Sequence, residues 1–465
     1  AHLAALPAVG QPAASPTNSA AGKPIVSKLA VTMAESTKLT LDPAILTGRL
    51  DNGLTYYVRR NARPAGRAEI WLAVKAGSVL EDDDQRGLAH FIEHMAFRGT
   101  KNFKKQEIID FMELIGMKFG PDVNAFTSFD ETVYMVKVPT NDAAIVRKGI
   151  AVLADWAANV SLLDDDIEKE RGVVVEEWRL GRGAEVRMRD KQFPILFKGS
   201  RYADRLPIGL KEVIEKASHD TIRRYYRDWY RPDLMAVIAV GDFDPAAMAE
   251  SIKTTFAVLQ NPAAPRPREL FPVPDHAETL ISTVTDPEAT STRLAIYYKL
   301  PRKDRLTVAD FRRSLVEELH HTMVNGRLDE LRQRPDPPFL SAFSSSGSYV
   351  LTRDVVFQGA TVRDSGLARG LEALLIELER VDRLGFNASE LDRAKHNIIR
   401  SYESAYQERE KEESQGYNSE IANSFLTGDP VPDIELKFGL AQRFLPAITL
   451  DEINHLAREW ISESN

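Results

Sequence analysis

Two histidines and a glutamate within five residues are the part of this sequence best suited to chemistry. The stretch GLAHFIEHMAFRGT, Gly87 to Thr100, contains His90, Glu93 and His94. On a helix, residues four apart share one face, so both imidazoles would point to one spot and suit Zn²⁺. Glu93 lies near that face, where it could take a proton from a water activated by the metal. A helix that contains two histidines and no metal is the alternative, and this stretch alone leaves it open.

A catalytic zinc site needs a third protein ligand and one open position. The chain has no cysteine, so that ligand must be a carboxylate or another histidine. In IEKERGVVVEEW, Glu170 and Glu177 lie seven residues apart, two helical turns, on a face shared with Val173 and Val174. A carboxylate buried among valines needs a partner or a metal, although a solvated acidic face also fits these residues. Gly172, which costs roughly 1 kcal/mol in mid-helix, predicts that another helix packs closely there.

The composition bounds the class of protein. With 465 residues the chain is too long for one hydrophobic core and predicts two or more domains. Its 43% hydrophobic and 28% charged residues are typical of globular proteins. A net charge of −8 argues against nucleic-acid binding, and no apolar run has the length of a membrane span.

The N-terminal segment indicates a compartment. The sequence begins with Ala1, and residues 1–37 are rich in Ala, Pro, Ser and Gly. This pattern predicts a flexible tail behind a removed signal peptide, and therefore export to a bacterial periplasm. An artificial start of the sequence is the alternative.

Strand and helix patterns alternate without strict βαβ order, which predicts an α+β fold. Asn52-Gly53 between two alternating runs predicts a hairpin, and Ile70, Leu72 and Val74 share one face of the next strand. We expect helices capped by Asn141 or Asp142 and by Ser218. The helix pattern around Gly149 and Ile167 recurs around Gly370 and Leu391, which predicts duplicated domains, with two unrelated helix pairs as the alternative. The expected organisation is a catalytic zinc-binding domain at 38–259, a proline-rich linker at 260–278 and a homologous domain without metal at 279–465.

Taken together, the motifs resemble the inverzincin zinc peptidases, the family of pitrilysin, insulin-degrading enzyme and mitochondrial processing peptidase. GLAHFIEHMAFRGT, KERGVVVEEW and FGPDVNAFTSFDETVYMVKVP carry the likeness, which covers everything after the tail. It is closest to long periplasmic members from proteobacteria. The resemblance implies two tandem homologous α+β domains, each a mostly antiparallel sheet with helices on one side, which form half of a peptidase chamber.

The resemblance also implies roles for individual residues. His90 and His94 match the zinc histidines, Glu93 the general base, Glu177 the third zinc ligand and Glu170 a supporting carboxylate. The 83 residues from His94 to Glu177 exceed the spacing in many relatives, which we ascribe to loop insertions.

Two further residue sets follow from the same likeness. Glu176 is the competing third ligand, but it is rotated about 100° from Glu177 on a helix. Asn124, Ala125 and Phe126 match the edge strand that pairs with the substrate backbone, although Asn124 could also be a turn residue.

The second half lacks this chemistry. Ala394 and Ser401 stand at the positions equivalent to Glu170 and Glu177, and His320 and His321 are adjacent, so we interpret them as surface or packing residues. One zinc site per chain is expected.

The resemblance finally implies a partner. Relatives carry an Arg/Tyr element in a second half, whereas the corresponding region here reads LDELRQRPDPPFLSAFSSS, and the sequence stops at LAREWISESN. We therefore expect one catalytic half of a zinc-dependent endopeptidase for peptides or unfolded polypeptides, completed by a separate subunit or a C-terminal continuation. The alternatives are a non-catalytic scaffold subunit and a metal-storage module.

Overall fold

The computed structural model describes residues 30, 32–104, 106–118, 120–461 and 464–465. Most of the predicted N-terminal tail and the predicted signal-peptide junction lie outside these residues. The described end of the tail packs on the second half of the chain: Ala30 is fully buried, and Lys38 bridges to Thr307. Within the described residues, no helix combines the length and the apolar character that crossing a membrane requires.

A six-stranded sheet forms the centre of the first domain. Its strands are β1 (Ile45–Arg49), β2 (Thr55–Arg60), β3 (Arg67–Val74), β4 (Val123–Thr127), β5 (Thr132–Pro139) and β6 (Met235–Gly241). The order is β1-β2-β6-β3-β5-β4; β2 and β6 pair in parallel, and all other neighbours are antiparallel. The predicted Asn52-Gly53 turn joins β1 to β2, with Gly53 at a φ of +89° that favours glycine.

Helices cover one face of this sheet and bury the larger core. They are α1 (Leu88–Ala96), α2 (Glu107–Leu114), α3 (Ala143–Ala158), α4 (Asp164–Leu180), α5 (Ala184–Leu196), α6 (Lys211–Lys216), α7 (His219–Trp229) and α8 (Pro245–Phe256). Asp142 accepts the N–H of Ala144 to cap α3, and Ser218 accepts the N–H of Thr221 to cap α7. Ile70, Leu72 and Val74 of β3 all point into this core.

The second domain has the same α+β character. The antiparallel strands β7 (Thr292–Pro301), β8 (Ser341–Val350) and β9 (Arg353–Val362) lie in the order β7-β9-β8. The helices are α9 (Val308–Arg332), α10 (Leu367–Leu384), α11 (Ala388–Glu408), α12 (Ser414–Thr427), α13 (Ile434–Phe444) and α14 (Leu450–Trp460). The consecutive pair α10–α11 occupies the place in the sequence pattern that α3–α4 holds in the first half.

One helix departs from the expectation that helices pack on a single side of each sheet. α12 lies against β3 and β6, on the face opposite the larger core. Its buried side chains there, which pack in one cluster with Trp71 and Ile238, are Ile421, Ala422 and Phe425. The first sheet is therefore covered on both faces, and the second domain supplies the second cover.

The proline-rich segment 260–278 contains no helix or strand and runs along the first domain. Val273 is buried in the larger core, Arg266 forms an ion pair with Asp82, and Arg268 donates to the carbonyl of Lys75. These contacts fix the path of the chain between the two domains.

Candidate metal centre

Helix α1 is held at its N-terminus by a buried carboxylate. Glu81 accepts the N–H groups of Gly87 and Ala89 at 3.0 and 2.8 Å. These donors have no partner inside the helix, so Glu81 satisfies both of them. Burial raises the pKa of Glu81 to about 8, although the two N–H groups oppose this shift. Gly87 has a φ of +106°, and an added Cβ would lie 3.0 Å from the Cα of Gly209, so a larger residue is excluded.

One turn of α1 brings the two histidines of the sequence motif together. The rings of His90 and His94 have centroids 4.7 Å apart at an interplanar angle of 82°. From α4, Glu177 reaches both: its carboxylate oxygens lie 3.0 Å from Nε2 of His94 and 3.6 Å from Nε2 of His90. One ligand atom from each residue falls within 4.8 Å of the other two, so the group could hold a metal ion. It is the only such group of three that the described part of the chain contains.

Glu170 orients one of these histidines. Its carboxylate lies 3.0 Å from Nδ1 of His94 and also accepts a hydrogen bond from Arg98. A carboxylate at Nδ1 keeps a proton on that nitrogen, so Nε2, on the side of Glu177, is the nitrogen that a metal ion would take. This is the arrangement that a metal-binding histidine requires.

Glu93 is buried beside the histidine pair. The hydroxyl of Thr127, at the end of β4, donates to Oε2 of Glu93 at 2.5 Å. Burial raises the pKa of Glu93 above the usual glutamate value. Its second oxygen, Oε1, is the atom left to act on a proton.

Two sequence expectations for α4, for Gly172 and for the valine pair, need correction, whereas the preference for Glu177 over Glu176 agrees with the structure. Gly172 is exposed, and an added Cβ would meet nothing within 4 Å, so no helix in the described part of the chain packs against it. Val173 is 43% exposed whereas Val174 is fully buried, so the two valines do not share one environment. Glu176 points away from the histidines and pairs with Arg179 at 2.6 Å, which is why it does not join the group.

The predicted substrate strand is β4, the edge of the first sheet, with β5 as its neighbour. The Ala125 N–H bonds to Oδ1 of Asn124 at 2.9 Å, so this N–H is directed away from the ladder. The Ala125 side chain contacts the larger core. Phe126 packs on the opposite face of the sheet, in the cluster that α12 forms with Trp71 and Ile238. Helix α1 contacts β4 and Glu93 bonds to Thr127 on the face of Ala125, so the ring of Phe126 lies on the opposite side of the sheet from the metal group.

Comparison with known proteins places this geometry in a family. Residues 56–185 match the family described as Insulinase (Peptidase family M16), and residues 216–398 match the Peptidase M16 inactive domain. The structure also matches the crystal structure of the first half of the periplasmic protease PqqL from Escherichia coli, with a TM-score of 0.85 and 30% identity over 91% of each chain. This chain belongs to peptidase family M16.

Curated M16 relatives carry zinc-protease names. The "Zinc protease PQQL-like" of Arabidopsis thaliana is 38% identical over 413 residues, which is 89% of this chain and 40% of that protein. The "Probable zinc protease PqqL" of Escherichia coli (strain K12) is 31% identical over 428 residues, 91% of this chain and 45% of that protein. The chain thus spans less than half of the length of these two relatives.

The second domain of this M16 chain differs at the corresponding positions. Ala394 is buried in the core of the second domain, and Ser401 is exposed. His320 and His321 are packing residues: both are buried, and both rings lie against Trp460.

Electrostatics favour a cation at the centre of the group. Burial, followed by the nearby charge of His94, lowers the pKa of His90, so this imidazole stays neutral and available as a ligand. Burial alone would lower the pKa of His94, but hydrogen bonds to Glu170 and Glu177 raise it to about 9. The hydrogen bond from His94 in turn lowers the pKa of Glu177.

The donor set therefore fits zinc: it has two imidazole nitrogens and one carboxylate, and the carboxylate of Glu170 fixes the ring of His94.

The sequence did not predict three residues that support this site, Thr127, Arg98 and Glu81. The alternation of β4 places Thr127 on the face of Ala125, and Arg98 follows His94 by four residues, so each had a weak signal. Glu81 lies in a loop, and no pattern pointed to it.

Proposed function

We propose that this chain is the catalytic half of a zinc-dependent endopeptidase that hydrolyses peptides or unfolded polypeptides. The observation that carries the proposal is the convergence of His90, His94 and Glu177 from two separate helices, beside the buried carboxylate Glu93. Family membership and the zinc-protease names of the relatives support the same activity.

In this proposal His90, His94 and Glu177 hold the zinc ion. A bound zinc ion would polarise the peptide carbonyl and lower the pKa of water. Glu93 receives the proton of the attacking water at Oε1 while Thr127 keeps Oε2 in place. Glu170, clamped by Arg98, holds the His94 ring in its ligand orientation.

The substrate would lie along the edge of the first sheet. An extended peptide adds a strand to β4 at Asn124, Ala125 and Phe126, with main-chain hydrogen bonds that depend little on its sequence. The Ala125 N–H is the first group available to it, once the Asn124 side chain moves aside.

The proposed organisation assigns the zinc site to 38–259 and a domain without metal to 279–465, joined by 260–278. A second half, as a separate subunit or a C-terminal continuation, would complete the chamber and supply an Arg/Tyr element. The M16 relative in the structural match is named a periplasmic protease, and we propose the same compartment for this chain.

Zinc content and peptide cleavage test the proposal. We expect one zinc per chain, lost in Glu177→Gln and retained in Glu176→Gln, because Glu176 pairs with Arg179 instead. Glu93→Gln should keep zinc and slow cleavage of a quenched fluorescent peptide by about 10²- to 10⁴-fold, the usual contribution of a general base.

The outcomes separate the candidate functions. A wild-type chain that binds no zinc would overturn the metal site and with it the enzyme. Zinc binding without cleavage, alone and after addition of the second half, would favour the scaffold subunit. Cleavage that survives Glu93→Gln would remove Glu93 from its proposed role.

A further inference from the structure

The turn that joins β4 to β5 adjoins the residue that holds the proposed base. Thr127, which donates to Glu93, is the last residue before this turn. The N–H of Val79 donates to the turn carbonyl of Phe129 at 2.9 Å, and the chain then continues to Glu81, whose side chain holds the N-terminus of α1. The position of the turn is therefore linked to the position of α1, the helix that carries the base.

Asp130 holds this turn through its side chain. The residue is buried, and Oη of Tyr202 donates to both of its carboxylate oxygens, at 2.8 and 3.0 Å. The backbone N–H of Leu351 donates to Oδ2 at 3.3 Å. A carboxylate is costly to bury unless hydrogen bonds replace its lost water, so these donors compensate for its burial and fix it in one place.

Leu351 belongs to the second domain. It lies in the turn between β8 and β9, 221 residues after Asp130. The tip of this hairpin is inserted into the first domain: Val350 is buried in the larger core, and the ring of Tyr349 stacks on that of Phe197 with centroids 4.8 Å apart. The domain without the metal group thus supplies a donor to the turn that supports the proposed base.

We propose that Asp130 is a positioning residue through which the second domain fixes the orientation of Glu93. The inference rests on the proposed function, because this orientation matters only if Glu93 accepts the proton of the attacking water. A general base must lie within hydrogen-bond reach of that proton, and a misplacement of about 1 Å costs about 100-fold in rate. Without the Asp130 carboxylate, the turn and Thr127 lose their fixed position, so Oε1 of Glu93 points at the water less often.

Truncation and conservative replacement of Asp130 have different expected outcomes. Asp130→Ala should lower kcat for a quenched fluorescent peptide by about 10- to 100-fold and leave KM within about 2-fold, because peptide binding along β4 is retained. Asp130→Asn should keep about half of kcat or more, because its amide oxygen accepts from Leu351 while its NH₂ group donates to Oη of Tyr202. Both variants should keep one zinc per chain.

Combination with Glu93→Gln shows whether Asp130 acts through the base. In the Glu93→Gln chain, which lacks the base, adding Asp130→Ala should change the residual kcat by less than about 2-fold. A residue with a merely structural role would lower the rate in both backgrounds.

Amide hydrogen exchange measures the turn directly, without turnover. In the chain without added metal, the amides of residues 127–132 and of Leu351 should exchange about 3- to 10-fold faster in Asp130→Ala, the effect of losing one or two hydrogen bonds.

Two tyrosine variants form a matched pair. Tyr202→Phe removes the hydroxyl that donates to Asp130 and keeps the ring, so it should lower kcat and speed exchange at residues 127–132. The hydroxyl of Tyr226 is also buried, but it donates to the carbonyl of Trp156 on α3, so Tyr226→Phe should change neither quantity.

The two proposals fail in different ways. If the wild-type chain binds no zinc, or cleaves no peptide with or without the second half, the proposed function fails and the positioning role of Asp130 fails with it. The proposed function stands and the positioning role is wrong if Asp130→Ala leaves kcat unchanged, lowers it equally in the Glu93→Gln chain, or is not rescued by Asp130→Asn. If Asp130→Ala does not fold, Tyr202→Phe decides in its place, alone and combined with Glu93→Gln.

Discussion

Thr127 connects the proposed substrate strand to the proposed base. It is the last residue of β4, and its hydroxyl donates to Glu93 inside the protein. Because this hydrogen bond fixes Oε2 of Glu93, the direction in which Oε1 points is also fixed. Burial raises the pKa of Glu93, which makes it a stronger base than an exposed glutamate. The position of the peptide edge and the position of the base are therefore set by the same strand.

His321, in the second domain, should make the stability of the chain depend on pH. Its Nδ1 lies 2.9 Å from Oγ of Ser344, and its ring stacks on Trp460. Burial lowers the pKa of His321 to about 4 in the folded chain, from 6.5 for the ordinary side chain. Between pH 6.5 and 4 the unfolded chain binds a proton that the folded chain excludes, so stability falls as the pH decreases through this window.

The substitution His321→Gln puts a neutral side chain at this position, so the unfolded chain no longer binds a proton there. We expect the free energy of unfolding, measured by urea titration, to fall less steeply below pH 6.5 in the variant. The slopes should differ by at most about 1.4 kcal/mol per pH unit, the effect of one proton. Parallel curves across pH 4 to 6.5 would contradict the prediction, whatever the absolute stability of the variant.

Helix α4 contains a glycine, Gly172, although glycine is a poor helix former and nothing among the described residues packs against this position. Gly172 lies inside α4 in open space, so an alanine there meets no steric obstacle. We expect Gly172→Ala to stabilise the chain by about 0.5–1 kcal/mol, through helix propensity and a less flexible unfolded state. Urea unfolding of the chain without added metal measures this.

Gly149→Ala is the matched control, because Gly149 also lies inside a helix, α3. There an added Cβ would approach Cγ1 of Val138 to 3.0 Å, so the gain in propensity is opposed by crowding in the core. A stabilisation as large in Gly149→Ala as in Gly172→Ala, or a loss of stability in Gly172→Ala, would show that the open surface at Gly172 is not what matters.

Residue spacing along single helices predicted the parts of the site that depend on helix geometry alone. Helical spacing predicted that His90 and His94 meet, and seven-residue spacing placed Glu170 and Glu177 on one side of α4. The exposure of Gly172 was not predictable, because a glycine signals close packing and open surface alike. The parallel pairing of β2 with β6 and the position of α12 depend on contacts between distant segments, for which a single sequence carries no periodic signal.

Helix α12 makes the two domains one structural unit at the scale of the whole molecule. It belongs to the second domain by sequence, yet it covers the face of the first sheet opposite the one that carries α1 and α4. Asn418 adds a polar contact by donating to the carbonyl of Glu69 on β3. Separating the domains would expose the apolar face of the first sheet, so we expect both to unfold together.

Ile421→Ala tests this coupling. Ile421 is almost fully buried in the cluster between α12 and the first sheet, so truncation should cost about 2–4 kcal/mol, the usual range for a large-to-small change in a core. Urea unfolding followed by both tryptophan fluorescence and circular dichroism should show one transition, shifted to lower urea. Asn423→Ala, on the exposed side of the same helix, should change stability by less than about 0.5 kcal/mol. If Ile421→Ala costs no more than Asn423→Ala, or if it produces two separate transitions, α12 does not join the two domains into a single cooperative unit.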